Sequence, residues 1–165
     1  MIQSVDDAFI KETFDNTWPY SARYNHAAGF GMHYIDEGSG PETLLLLHGE
    51  PTWSYLFRQQ IRIWSEHCRV IAVDHMGFGK SETPKDRTFW LQDHIDNLEH
   101  FIQDLNLYDL TLVMHDFGGP MGMGFAIRHP SVIKRIVSVN CPTPAGQPDL
   151  TEQVVSNASK SPWFQ

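Results

Sequence analysis

Two hydrophobic rhythms alternate along the middle of this chain. Short, nearly continuous apolar runs occur at Thr43–Leu47 (TLLLL), Arg69–Val73 (RVIAV), Leu110–Met114 (LTLVM) and Ile133–Val139 (IKRIVSV). Runs of this length and content fit strands covered on both faces. Met32–Asp36 (MHYID) reads as one further strand, followed by a turn at Gly38-Ser39-Gly40-Pro41. Between the runs the period lengthens. A helix is expected from Ser54, as its cap, to about Glu66. Another is expected over Trp90–Leu105, with Leu91, Ile95, Leu98, Ile102 and Leu105 on one side, and a third over Gly118–His129. Strand and helix thus alternate from about residue 43 to residue 139, the pattern of a mostly parallel sheet with helices on both faces. Residues 1–28 read as irregular, anchored by Phe14, Trp18, Tyr20 and Tyr24. Past Asn140 the periodicity fades into prolines and small polar residues. We therefore divide the chain into a core part, 1–140, and the start of a separate excursion, 141–165.

Composition narrows the class of partner. Twelve basic against twenty acidic side chains leave a formal charge of -8, a poor match for a polyanion such as nucleic acid. No run approaches the roughly 18–20 apolar residues of a membrane span. The polar, acidic start MIQSVDD is unlike a secretory signal. Cys68 and Cys141 stand far apart without metal-ligand spacing and read as small buried thiols in a reducing, cytoplasmic setting. Without a signal, the sequon Asn157-Ala158-Ser159 carries no weight.

In an open parallel sheet, chemistry gathers beyond the carboxyl ends of the strands. Three turns fall there: 48–52, 74–81 and 115–119. The sharpest is His115-Asp116-Phe117-Gly118-Gly119, which joins a strand directly to a helix. A tight elbow of this kind lifts one side chain to the rim of the sheet, and its usual signature is G-x-S-x-G. Here aspartate replaces serine and Met114 replaces the first glycine. Gly118 and Gly119 let the following helix pack close. A carboxylate at this position can attack a carbon bearing a leaving group, forming an ester that activated water then cleaves. The same residue could instead simply cap the helix. Ester cleavage develops an oxyanion on Asp116, and the natural donors are the backbone N–H groups of Phe117 and Glu50. Gly49 would permit close backbone approach, and Pro51 follows in the same loop. His48 is expected to support that loop, and His115, pointing away from Asp116, to pack. The Glu50 carboxylate either holds water or is solvated. Gly77-Phe78-Gly79-Lys80-Ser81 is not a phosphate loop, because Asp74 stands where a P-loop needs glycine. Asp74 is expected to fix that turn, and Ser81 to cap the next segment. No metal or cofactor motif is found, so none is expected.

HGEPTWSYLFR (48–58), DHMGFGKS (74–81) and HDFGG (115–119) resemble the haloalkane dehalogenases and their epoxide-hydrolase relatives, over about residues 29–140. The resemblance implies an α/β-hydrolase fold with its helical cap domain beginning at 141–165. It implies Asp116 as a nucleophile that displaces halide, acting on a small apolar organic substrate and water. It places Glu50 beside the hydrolytic water and puts Trp53 and Asn140 at the pocket. Asn140 occupies the position where one subfamily carries its catalytic acid, so the acid and the catalytic histidine would follow later strands. The 165 residues alone would then form the ester without turning it over. Relatives carry tryptophan directly after the nucleophile, where its indole N–H grips halide. Phe117 has no such donor, and Trp163 in the cap is a candidate substitute. Epoxide, lactone or ester hydrolysis, decarboxylation of a strained lactone, and an inactive scaffold stay open, as does the oligomeric state.

Overall fold

The four apolar runs lie side by side in a computed structural model that describes residues 2–142. The strands are β1 (Ile2–Gln3), β2 (Arg23–Asn25), β3 (Met32–Glu37), β4 (Thr43–Leu47), β5 (Arg69–Val73), β6 (Thr83–Pro84), β7 (Leu110–His115) and β8 (Ile133–Val139). The α-helices are α1 (Asp7–Lys11), α2 (Arg58–Trp64), α3 (Leu91–Asp104) and α4 (Gly118–Arg128). One six-stranded sheet has the order β2-β3-β5-β4-β7-β8, and β1 pairs with β6 in a separate two-stranded ribbon. The pairings β5–β4, β4–β7 and β7–β8 are parallel, while β2–β3 and β3–β5 are antiparallel. The expected mostly parallel sheet therefore holds for every strand joined through a helix.

Side-chain alternation along the strands builds a core on each face. On one side Leu46, Val70, Ala72 and Val113 meet Phe57 and Ile61 of the α2 region together with Trp18. On the other, Leu45, Leu47, Ile71, Val73, Leu112 and Met114 meet Leu98, Phe101 and Ile102 of α3 and Phe125 of α4. Covering both faces makes the strand sequences continuous in hydrophobicity rather than alternating. β4 runs to β5 on one side, and the chain then returns past β4 to β7 on the other. This reversal of direction falls at the carboxyl ends of β4 and β7, whose register pairs Leu47 with Met114, the place where an open sheet of this kind gathers its chemistry.

Several local expectations are corrected. The segment after Trp53 begins as a 3-10 turn over Ser54–Phe57, and α2 ends at Trp64. Ser54 does not cap it. Its amide donates instead to Asp74 Oδ1 at 2.8 Å, and its buried hydroxyl has no hydrogen-bond partner. The N-terminal stretch is not irregular throughout, since it contains β1, α1 and β2. Asp6 caps α1 by accepting the Ala8 N–H at 2.8 Å. Both cysteines are free and half-buried rather than buried. The excursion expected at 141–165, with Trp163 and the sequon at Asn157, lies outside the described residues from 143 onward.

β8 forms one edge of the sheet, and Ile136, Val137 and Val139 on it are exposed. Among the described residues no helix is long and apolar enough to cross a membrane, and no cluster of histidine, cysteine or carboxylate side chains could hold a metal ion.

Candidate active site

β7 ends at His115, and the chain turns sharply at Asp116, whose φ of 50° lies in the left-handed region. L-residues other than glycine, asparagine and aspartate seldom adopt that conformation. It makes the strand-to-helix elbow that the sequence implied. The Asp116 N–H donates to the Val139 carbonyl at 3.3 Å, and its carbonyl accepts the Gly119 N–H at 2.9 Å. The nucleophile candidate is thus pinned between β8 and the first turn of α4. That turn brings partial positive charge, which favours a carboxylate.

α4 can start here because Gly118 has no side chain. A Cβ at Gly118 would run into the carbonyl of Leu47, with the Leu47 carbonyl carbon only 2.7 Å away and the His48 oxygen 2.8 Å away. The helix therefore rests directly on the end of β4. Gly49 faces the elbow from the other strand. A Cβ there would meet the Asp116 carboxylate and lie 2.6 Å from the Phe117 nitrogen. Of the two sequence-predicted donors, Glu50 accordingly meets the Asp116 side chain. The Glu50 N–H donates to Asp116 Oδ1 at 3.0 Å, and the Phe117 nitrogen faces the same Gly49 position as that carboxylate. The peptide bond between Glu50 and Pro51 is cis.

Behind this loop lies a buried polar layer that the sequence did not announce. His48 is fully buried. Its Nδ1 hydrogen-bonds the Gly49 carbonyl at 2.9 Å, and its Nε2 accepts the His75 N–H at 3.0 Å. That pattern requires the neutral ring protonated on Nδ1. The His75 ring Nε2 in turn lies 3.1 Å from the His48 carbonyl, and the two rings sit 4.4 Å apart. His94 approaches His75 edge-on at 6.0 Å. Burial drives the pKa of all three below that of an ordinary histidine. For His48 the nearby His115 adds to the effect, although Asp74 opposes it. For His75 the shift is large, with His48 and His94 adding to burial. His94 falls to about 4, with His48 again contributing. Burial dominates because a charged imidazole has no water there.

Asp74 fixes the adjoining turn, as expected, and does so from full burial. It accepts from the Ser54 and Lys80 amides at 2.8 Å each and pairs with His33 Nδ1 at 2.8 Å. Burial alone would raise its pKa. The hydrogen bond and charge of His33, aided by His48 and Ser54, outweigh burial and hold it below the usual carboxylate value. Ser81 does not cap a following helix. Its hydroxyl donates to the Asp74 carbonyl at 2.6 Å and accepts the His33 N–H at 2.8 Å.

The remaining predicted residues divide. His115 lies on β7 opposite Val139. It is half-buried, and its Nδ1 has no hydrogen-bond partner. Asn140 stands exposed at the rim with φ 49°. Trp53, expected at the pocket, has its ring in an N-terminal aromatic cluster. It stacks on Tyr55 at 5.4 Å and meets Phe9, Phe14 and Trp18 at 5.3–5.8 Å. Cys141 comes unexpectedly near the elbow. Its thiol donates to the Met114 carbonyl at 3.4 Å, and its side chain packs against Gly119.

Residues 42–164 match the family described as alpha/beta hydrolase fold. Among curated proteins the chain is 38% identical over 129 residues to a cis-3-alkyl-4-alkyloxetan-2-one decarboxylase of Shewanella oneidensis, covering 76% of this chain and 40% of that protein. It is 39% identical over 124 residues to a haloalkane dehalogenase of Psychrobacter cryohalolentis, covering 73% and 41%. The chain spans about 40% of the length of these relatives. A solved haloalkane dehalogenase from Paraglaciecola agarilytica NO2 superposes with a TM-score of 0.82 at 30% identity, over 98% of this chain and 57% of that one. An epoxide hydrolase from Bacillus megaterium superposes with a TM-score of 0.68 at 32% identity, over 73% and 42%.

Proposed function

The chain belongs to the alpha/beta hydrolase fold family, and on that premise we propose that it carries the nucleophile of an enzyme in which the Asp116 carboxylate attacks an electrophilic carbon of a small apolar substrate. The observation that carries this reading is the Asp116 carboxylate itself. It sits on a left-handed elbow facing Gly49 and accepts the Glu50 N–H at 3.0 Å. A helix cap would explain a carboxylate here but not a main-chain donor supplied by a different strand's loop. The proposed reaction is dehalogenation. Asp116 displaces halide in line to form an alkyl ester. Water then adds at the ester carbonyl carbon, the oxyanion takes the Glu50 and Phe117 N–H groups, and the alcohol departs. Similarity to haloalkane dehalogenases supports that substrate class. Glu50 and Asn140 at the rim are proposed to shape the pocket and position water. His48, Gly49, Pro51, His115, Gly118 and Gly119 hold the frame.

Phe117 favours a second substrate. Its side chain offers a departing halide no N–H donor. A four-membered lactone carries its own leaving group, a carboxylate tethered within the ring, and needs no halide clamp. The likeness to the oxetanone decarboxylases supports this second reading.

Intact-mass analysis of the full-length protein, quenched during turnover of haloalkanes, epoxides and β-lactones, separates these readings. A substrate-derived increment mapped to Asp116 and absent from Asp116→Asn is expected, and the compound class that produces it names the substrate. Turnover retained by Asp116→Asn would sink the nucleophile assignment.

A further inference from the structure

One peptide unit, Gly49–Glu50, is held on both of its polar sides. Its N–H donates to Asp116 Oδ1 at 3.0 Å. Its carbonyl oxygen accepts three donors: His48 Nδ1 at 2.9 Å, the Thr52 N–H at 3.0 Å and the Thr52 hydroxyl at 2.8 Å. The C=O and N–H of a planar trans peptide point in opposite directions, so anchoring one end aims the other. The anchoring matters because of Gly49. Only glycine fits against the Asp116 carboxylate and the Phe117 nitrogen, yet glycine also leaves the adjoining peptide free to rotate. A rotated peptide would present a carbonyl oxygen to Asp116 and repel it. His48 can donate from Nδ1 because its Nε2 is occupied by the His75 N–H.

We propose that Thr52 is a positioning residue, which together with His48 clamps the Gly49–Glu50 peptide so that its N–H stays aimed at the Asp116 carboxyl group. This rests on the reading of Asp116 as the nucleophile. The clamp acts mainly in the second half of the reaction. When water adds to the carbonyl carbon of the Asp116 ester, negative charge develops on an Asp116 oxygen, and the donor that meets it must already be in place. The water's proton passes to a general base and returns to the departing alkoxide. Thr52 touches neither substrate nor proton.

Two measurements on the full-length protein test the clamp, with Thr52→Val removing the hydroxyl at nearly constant shape and Thr52→Ser restoring it. Thr52→Ala serves the same end should valine disturb the turn. The first measurement is amide hydrogen exchange without substrate. The Glu50 amide is expected to exchange about tenfold faster in Thr52→Val than in the native protein or Thr52→Ser, while β4 and β7 amides are unchanged. The second is partitioning during turnover. Ester on Asp116 is expected to accumulate in Thr52→Val because its hydrolysis slows about tenfold, with little change in its formation and recovery in Thr52→Ser. Unchanged Glu50 exchange, or equal slowing of both steps, overturns the clamp. Faster exchange without any adduct on Asp116 in any variant upholds the clamped peptide and overturns the nucleophile reading, and with it the clamp's role in catalysis.

Discussion

Lowering the pH should strain this fold at one definable place, the histidine layer behind the Asp116 loop. His94 has a pKa of about 4 in the folded protein against 6.5 for the unperturbed group. A histidine whose folded pKa is depressed binds more protons unfolded than folded as the pH falls below the unfolded value. Its contribution is therefore fully present above pH 6.5 and is lost progressively as the pH falls toward 4. The fall from 6.5 to about 4 corresponds to about 3 kcal/mol lost in full, and about 2.5 kcal/mol of that is gone by pH 4.5. His48 and His75 are shifted in the same direction, so the whole layer loses stability on acidification. The assay is urea unfolding of the full-length protein at pH 7.0 and 4.5, for the native sequence and for His94→Gln. Glutamine cannot charge, and without the His94 charge nearby the other two histidines protonate more easily. The variant is expected to lose about 2 kcal/mol less between the two pH values than the native protein. An identical loss in both proteins would refute the assignment of His94 as a buried neutral group coupled to folding.

Two further outcomes rest on the packing. Gly118→Ala places a methyl group against the main chain of Leu47 and His48, which has little room to yield. It is expected to cost about 3 kcal/mol in urea unfolding. Gly124→Ala meets the Ile95 side chain, at its Cδ1 and Cγ1, rather than main chain and is expected to cost less, about 1 kcal/mol, so equal losses would contradict the close seating of α4 on β4. Lys80 is buried. Its ammonium donates to the Ile10 and Glu12 carbonyls at 2.9 and 3.1 Å, and it lies within 6 Å of the Phe9, Phe14 and Trp53 rings. Lys80→Met should release α1 from this tie at a cost of about 2 kcal/mol. Limited proteolysis would then cut between residues 6 and 16 sooner, and an unchanged cutting rate would show the tie to be idle.

The sheet was legible in the sequence because a strand covered on both faces must be apolar at consecutive positions, and Leu44–Leu47 and Leu112–Met114 are. Asp116 was legible because a polar residue between an apolar strand and a run of glycines leaves the chain little alternative to an elbow. Most of the misses have a different cause, contacts between residues far apart in the chain. α1 is only five residues long and is held by a lysine 70 positions away. Its aromatic neighbours Phe9 and Phe14 draw in Trp53 from the motif that suggested a pocket residue. Lys80, inside GFGKS, looks like a solvated loop residue until that N-terminal segment is laid over it. His33, His75 and His94 carry no local mark of burial, since histidine is at home inside or outside a protein. Thr52 was passed over because its service is to a carbonyl three residues back.

The donor from Glu50 to Asp116 belongs to the main chain, and this has an evolutionary consequence. Every residue except proline brings the same N–H to position 50, so no ordinary point change there deletes the contact. Selection can exchange the side chain at that position, and with it the shape and polarity of the space above Asp116, while the group that meets the carboxylate is inherited unchanged. On the reading of Asp116 as the nucleophile, chemistry and selectivity are encoded at one residue yet separable, which lets a lineage explore new substrates without first surrendering the reaction proposed for it.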